Sequence, residues 1–192
     1  VISADGRHVA YLSRAAGEPN GKIDVFSWDR TTGVTTRVTA GNTDSRAPAI
    51  SADGRFVAFN SFASNLTPGD TFGTADVYVW DRTTGAIARV TDGDRSTLTD
   101  PAISADGRHV AFSSMATNLV AGDTNGHEDV FTWDRETGTT TRITDGDGYA
   151  LDPAISADGR HVAFASWASD LPGGNPDRFG EVLSWDRVTG TT

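Results

Sequence analysis

The chain has 192 residues, a hydrophobic content of 37% and a formal net charge of −10, which is enough apolar material for a folded domain and argues against disorder. It contains no cysteine, and this excludes disulfide bonds and thiolate chemistry. No apolar run is long enough to span a bilayer, and we expect neither a membrane-inserted segment nor a signal peptide within these residues.

One unit is repeated four times along the chain. A tryptophan recurs at intervals of 52 or 53 residues, and a Ser-Ala-Asp-Gly-Arg block stands near the start of each copy. The tryptophans are Trp28, Trp80, Trp133 and Trp185, and the copies cover approximately residues 1–49, 50–102, 103–154 and 155–192. Because a period of about 50 residues is typical of solenoids and propellers, we expect a single domain built of repeats.

Each copy predicts four short strands in order, which we describe for the third. The strands are predicted over residues 100–104, 108–113, 129–133 and 140–144. The first two are joined by the Ala-Asp-Gly-Arg turn, in which glycine supplies a positive φ, and the last two by Asp-Arg-Glu-Thr-Gly. The third strand carries apolar residues on both faces, as expected of a sheet packed between two others. Four antiparallel strands of this kind form a β-propeller blade, so the predicted fold is an all-β propeller with about four blades in this chain.

These motifs resemble those of a known family. The pattern Pro-x-Ile-Ser-x-Asp-Gly-Arg-x-Val-Ala-Phe, followed by Asp-Val-Phe/Tyr-x-Trp-Asp and Thr-Gly, is similar to the WD40-like repeat of bacterial TolB-type propellers. Alanine replaces the usual proline before Asp-Gly at Ala4, Ala52, Ala105 and Ala157. True WD40 repeats normally carry Gly-His ahead of the first strand, and Gly-His does not occur in that position here. The resemblance implies a non-enzymatic interaction platform or the domain beside a hydrolase, and it favours a periplasmic or secreted location.

The number of blades is open at this stage. Both ends of the chain fall inside the repeated motif, and we expect an excerpt of a larger propeller of six to eight blades. A closed four-bladed ring, natural or engineered, is the alternative. Blade edges left open would allow self-association between chains.

The loops divide into a repeated end and a variable end. The two turns named above share one end of each blade, whereas the second-to-third loops and the connections between blades share the other and differ between copies. The repeated turns and the fourth strands together contain nine acidic and eleven basic residues, and the rest of the chain contains 17 acidic and five basic residues. We therefore predict a protein partner, basic or extracellular, at the variable end, and no nucleic acid. Loop drift without function, and acidic loops that serve solubility alone, are the alternatives. The candidate contact residues are Asp92, Asp94, Asp145, Asp147 and Trp167.

The third copy contains a candidate Ca²⁺ site. Asp123, Asn125 and Asp129 space three oxygen-bearing side chains around a bend at Gly126, which suits a hard cation. An EF-hand loop would need further acids and a bidentate glutamate, and both are missing. The alternative is an Asx-turn in which Asp123 binds its own loop backbone and Asp129 anchors the third strand. No other cofactor is expected.

Catalytic motifs are missing from the sequence. There is no Gly-x-Ser-x-Gly elbow, no His-Glu-x-x-His motif and no Cys-His pair. His8, His109 and His161 share one repeat position, which holds Phe56 in the second copy, so they are expected to pack rather than to transfer protons. The sequence therefore predicts a non-enzymatic binding or scaffolding module. The alternatives are the propeller domain of a larger hydrolase or peptidase and a purely structural repeat protein.

Overall fold

The computed structural model describes residues 1–15, 21–70, 74–97, 99–174, 176–177 and 179–192. In these residues it contains fourteen strands in four antiparallel sheets. No helix in the described part of the chain is long and apolar enough to cross a membrane.

The sheets follow one another along the chain, one for each repeat. Sheet 1 contains β1 (His8–Arg14), β2 (Ile23–Asp29) and β3 (Thr35–Arg37). Sheet 2 contains β4 (Ser45–Ile50), β5 (Phe56–Ser61), β6 (Asp76–Asp81) and β7 (Ile87–Arg89). Sheet 3 contains β8 (Ala102–Ile103), β9 (His109–Ser114), β10 (Asp129–Asp134) and β11 (Thr139–Arg142). Sheet 4 contains β12 (Ala150–Ile155), β13 (His161–Ser166) and β14 (Glu181–Asp186).

The two outer sheets keep the four-stranded plan in reduced form. In sheet 1 the missing first strand is represented by a single bridge between Ile2 and Val9, and in sheet 4 the missing fourth strand by a bridge between Asp186 and Thr191. Each repeat is thus one antiparallel blade, and the predicted all-β propeller fold is confirmed. The predicted first strand of the third repeat is shorter than expected, because only Ala102 and Ile103 pair with β9.

Adjacent blades pack a face of small side chains against a face of bulky ones. Ala58 and Val77 of blade 2 meet Phe112, Phe131 and Trp133 of blade 3 in one buried cluster. The same arrangement joins blade 1 to blade 2 and blade 3 to blade 4. Strand alternation produces it, because successive residues of a strand point to opposite faces. Trp80, Trp133 and Trp185, which are equivalent in the repeat, are therefore buried between blades.

The repeated turns form a second connection between blades. The amide of Ala4 donates to the carbonyl of Ala52, Ala52 donates in the same way to Ala105, and Ala105 to Ala157, each at 2.9 Å. The turn glycine also lies directly against the neighbouring blade. A Cβ on Gly107 would overlap the ring of Phe56, whereas one on Gly6, in the first blade, would meet only Ile2 at 3.9 Å.

The two end faces of this arc of blades are open. Val182 of blade 4 is 79% exposed, although its equivalents Val25, Val77 and Val130 are fully buried. On blade 1 the stacked pair Tyr11 and Phe26 is only half-buried, while the corresponding aromatic pairs of blades 2 and 3 are buried. These faces are where the self-association predicted from the sequence would take place, and it stays a prediction.

The repeated histidine position lies in the same interfaces. His8 and His109 are buried against the turn glycines of the following blades, and His161, in blade 4, is exposed. Burial is the main cause that lowers the pKa of His8 and His109, and nearby Arg82 and Arg187 respectively lower it further. In both cases the folded protein thus favours the neutral imidazole.

We expect acidification to weaken the fold through these two histidines. With a folded pKa below the unfolded value of about 6.5, the unfolded state binds more protons. This contribution to the free energy of unfolding is therefore complete above pH 6.5 or so and declines as the pH falls below it. The double variant His8→Phe/His109→Phe, which copies Phe56 of the second repeat, should flatten the dependence of Tm on pH between about 7 and about 5. His161→Phe is the matched control and should leave the dependence unchanged; an equal effect of both variants would contradict the assignment.

Candidate binding face at the variable loop end

The repeated end of each blade is closed by its own ion pairs. In every blade the arginine of the Ala-Asp-Gly-Arg turn binds the aspartate of the Trp-Asp turn. The pairs are Arg7–Asp29, Arg55–Asp81, Arg108–Asp134 and Arg160–Asp186, with N···O distances of 2.7–2.9 Å. The hydrogen bonds from Arg108 lower the pKa of Asp134 to about 2, and the other three aspartates also have a lowered pKa. At this end, these arginines and aspartates therefore pair with each other within the blade.

The serines of the repeated turns have a structural role as well. Ser104 Oγ donates to the Asp106 carboxylate at 2.5 Å and accepts the amide of His109 at 2.9 Å. The same pair of bonds occurs in the other three blades. The four equivalent serines therefore stabilise four equivalent turns.

The charge division differs in one respect from the sequence prediction. Arg37 and Arg142, at the ends of the fourth strands, bind acids of the variable end, and Arg89 does the same in blade 2. The sequence prediction counted these three arginines with the repeated turns because they belong to the fourth strands. With them moved, 17 acids face eight bases at the variable end. The surplus there is smaller than predicted but still accounts for most of the net charge.

Arg142 is at the centre of the residues predicted to bind Ca²⁺. Its guanidinium lies 2.6 Å from Asp129 Oδ2, 3.5 Å from Asp123 Oδ1 and 2.7 Å from Asp145 Oδ1. Asn125 donates through Nδ2 to Asp129 at 3.1 Å, and its Oδ1 accepts the amide of His127 at 3.0 Å. Burial raises the pKa of Asp123 and Asp129. The structure thus brings all three predicted residues together, around a cation that the chain itself supplies.

This donor set does not fit a bound Ca²⁺ as it is arranged. Calcium requires six to eight oxygen ligands, whereas the guanidinium already occupies the space between the carboxylates and Asn125 presents its NH₂ group to Asp129. Among the described residues, no group of three or more His, Cys, Asp or Glu side chains is placed to hold a metal ion. Asp129 is held by Arg142 and by the Thr144 hydroxyl, which agrees with the anchoring role in the alternative that the sequence left open. The Asx-type bond, however, is accepted from the His127 amide by Asn125 and not by Asp123, the residue that the alternative named.

Two of the predicted contact residues link neighbouring blades. Asp94 accepts the amide and the hydroxyl of Thr117 in the next blade, both at 2.8 Å. Asp147 makes the equivalent bonds to Ser169, at 2.7 and 2.9 Å. Sequence reasoning missed this structural role because each partner lies more than 20 residues away.

The other three predicted contact residues are exposed at the variable end. The side chains of Asp92 and Asp145 are 76% and 77% exposed, although each also pairs with the arginine three residues before it. Trp167 is 39% exposed and its ring lies against Gly180. One face of Trp167 is therefore packed and the other is available for contact.

A cleft near blade 2 is lined by residues that differ from those at the equivalent positions of other repeats. Arg46 is paired with Asn60 across β4 and β5, where blade 4 has Leu151 paired with Ala165. The guanidinium of Arg46 stacks on the ring of Phe62 at 5.3 Å. One cavity of about 480 Å³ and another of about 180 Å³ both use Arg46 and Phe62 as walls. The sequence signal for this cleft was a base and an amide at positions that are apolar or small in other copies.

The comparisons with known proteins agree with this architecture. No family model matches the sequence. Over 72 residues the chain is 33% identical to dipeptidyl-peptidase 5 of Porphyromonas endodontalis, a match that covers 37% of this chain and 10% of that protein. Among solved structures it is similar to TolB from Acinetobacter baumannii, with a TM-score of 0.63, 24% identity and coverage of 98% of this chain and 40% of that one.

Two further solved structures show the same similarity. The putative TolB from Agrobacterium tumefaciens has a TM-score of 0.67, 23% identity and coverage of 100% of this chain and 61% of that one. Tricorn protease has a TM-score of 0.63, 18% identity and coverage of 88% of this chain and 15% of that one. This chain therefore spans less than two thirds of the length of each of these proteins.

Four antiparallel blades packed face to face place the protein in the class of β-propellers. More particularly, its fold is that of the TolB-type propellers, which confirms at the level of the fold the resemblance seen in the repeated motifs.

Proposed function

We propose that this propeller is a non-enzymatic binding module and that its variable loop end binds a basic protein partner. The observation that carries the proposal is the unequal use of charge at the two ends. At the repeated end, the arginine of each Ala-Asp-Gly-Arg turn pairs with the aspartate of the Trp-Asp turn. At the variable end, by contrast, acids outnumber bases and Asp92 and Asp145 extend into solvent. A field of this sign attracts basic segments and repels phosphate backbones.

A fluorescent octalysine peptide tests the charge of each end separately. Asp92→Ala and Asp145→Ala copy Ala40 of the first repeat, and Glu136→Thr copies Thr31 and removes one charge from the repeated end. We expect each aspartate variant to weaken binding about two- to threefold at low salt, since an exposed charge contributes little singly. Glu136→Thr should leave the affinity unchanged in fluorescence anisotropy. Equal weakening by all three variants would mean that the charge acts without regard to position and would contradict the proposal.

A second candidate function is the propeller domain of a larger peptidase. The match to a segment of dipeptidyl-peptidase 5 favours it. On this proposal the chemistry lies outside these residues and the propeller controls access to it. A complete reading frame that encodes an α/β-hydrolase region with a Gly-x-Ser-x-Gly elbow would support this function, and one composed of further repeats would favour the binding module.

We also propose a cellular location for the protein and a condition under which it would bind calcium. We place the protein in the periplasm or outside the cell because of its resemblance to TolB-type propellers. Calcium binding at Asp123, Asn125 and Asp129 would require Arg142 to leave the carboxylates, so we propose it as competition between the ion and the guanidinium.

A further inference from the structure

We propose that the cleft beside Arg46 and Phe62 binds the carboxyl-terminal end of a peptide, with the terminal carboxylate held by Lys22 and Arg46. The inference rests on the proposed binding function only in that the ligand is a peptide. It concerns a cleft that does not include the exposed aspartates Asp92 and Asp145, and a different chemistry.

The larger cavity offers an excess of hydrogen-bond donors. Lys22 and Arg46 are two of the few bases at the variable end, and both line it. Lys22 Nζ donates one hydrogen bond, to the carbonyl of Gly41 at 3.3 Å. The guanidinium of Arg46 lies 4.0 Å from the Asp44 carboxylate, measured from Nη2 to Oδ2. The hydroxyl of Thr43, also in the lining, is buried without a hydrogen-bond partner. Donors in such excess suit an anionic acceptor.

A monocarboxylate fits this cavity better than a phosphate. Asp44 is part of the lining, and the chain carries a net charge of −10. A phosphate group carrying almost two charges would meet greater repulsion than a carboxylate carrying one. The ring of Phe62 adds an apolar surface beside the cations, which suits a hydrophobic terminal side chain.

The smaller cavity has the opposite preference. Asn60 is only 4% exposed, lines this cavity and has a buried Oδ1 without a hydrogen-bond partner, while Asp100 adds a carboxylate to the lining. Such acceptors suit an N–H donor. Since a peptide terminus supplies both a carboxylate and amide N–H groups, two adjoining cavities with these preferences favour a peptide over a simple organic acid.

The backbone is strained at Ala47, a residue that lines the smaller cavity. Ala47 has φ of +50° directly before Pro48, where the left-handed region is unfavourable for a residue with a side chain. It marks a register shift of β4 between Arg46 and Ala49. Ala47 therefore helps to form the wall of the smaller cavity, while Arg46 and Phe62 face both cavities.

Calorimetric titration of the intact chain with N-acetyl-Ala-Phe tests the proposal. We expect binding of the free acid with a Kd of about 1 mM or lower, and at least tenfold weaker binding of its carboxamide. Arg46→Leu, which copies Leu151, should cause a similar loss, and Asn60→Ala, which copies Ala165, a smaller one. Arg95→Leu removes one charge from the same end outside the cleft and is the control.

Each other outcome contradicts the proposal. No binding by the wild type at about 5 mM would exclude the site, and equal binding of acid and amide would exclude the carboxylate. If 3-phenylpropionate bound as tightly as the peptide, the ligand would be an organic acid and the peptide assignment would be wrong. Circular dichroism of each variant checks that the blades remain folded. Because the probe and the variants differ from those of the octalysine experiment, a failure here is distinct from a failure of the proposed function.

Discussion

Gly107→Ala is expected to lower Tm by about 5–10 °C, and Gly6→Ala by only about 2–4 °C. Both glycines occupy the same turn position with φ near +70°, so an alanine at either one bears the same left-handed strain. Only at Gly107 would the added methyl group also overlap the ring of Phe56 across the blade interface. Overpacking of this kind costs about 1–3 kcal/mol, which is the expected difference between the two variants.

A double-variant cycle separates the overlap from the backbone strain. Phe56→Ala removes the ring that the methyl group would strike, so Gly107→Ala should cost less in that background than in the wild type. The measurement is the free energy of unfolding by urea for all four proteins. Additive costs, or equal losses for Gly6→Ala and Gly107→Ala, would show that blade packing at the turn does not matter.

The propeller fold was predictable because its causes are local and repeated. The Ala-Asp-Gly-Arg turns, the alternating strands and the period of the tryptophans depend on residues close together in sequence. What the repeat could not predict is how equivalent residues differ in environment. His161 and His109 occupy one repeat position, yet His109 is buried against Gly159 of the neighbouring blade and His161 is exposed.

The sequence predicted several residues of the candidate sites, but it did not predict which side chains contact one another there. Asp123 and Asp129 were correctly grouped, because they are only six positions apart in the sequence. Arg142 reaches them only through the pairing of β10 with β11, and Asp94 reaches Thr117 only across a blade interface. The pairing of Arg46 with Asn60 depends on the bulge at Ala47. Each of these contacts is set by strand register or by blade packing, which residue spacing does not encode.

Arg142→Gln is expected to destabilise the fold by about 3–5 kcal/mol at neutral pH. Asp129 is fully buried, and the substitution would leave its carboxylate without a compensating cation. Burial already raises the pKa of Asp129, and loss of the guanidinium would raise it further. Since protonation of such a carboxyl favours the folded state, the stability deficit of the variant should shrink as the pH falls from about 7 to about 5. Arg95→Gln, an exposed control at the same end, should change stability by less than about 0.5 kcal/mol.

Calcium should compensate for the missing guanidinium if the ion and Arg142 compete for the same carboxylates. In Arg142→Gln, the oxygens of Asp123, Asp129 and Asp145 would surround the space from which the guanidinium nitrogens are removed. We expect CaCl₂ to raise Tm of this variant, and calorimetry to detect binding that the further change Asp123→Ala abolishes. In the wild type the ion must displace a bound arginine, so its affinity should be lower. A Tm that does not respond to Ca²⁺ in either protein would reject the calcium proposal, and Arg142 would then be the only cation that these carboxylates bind.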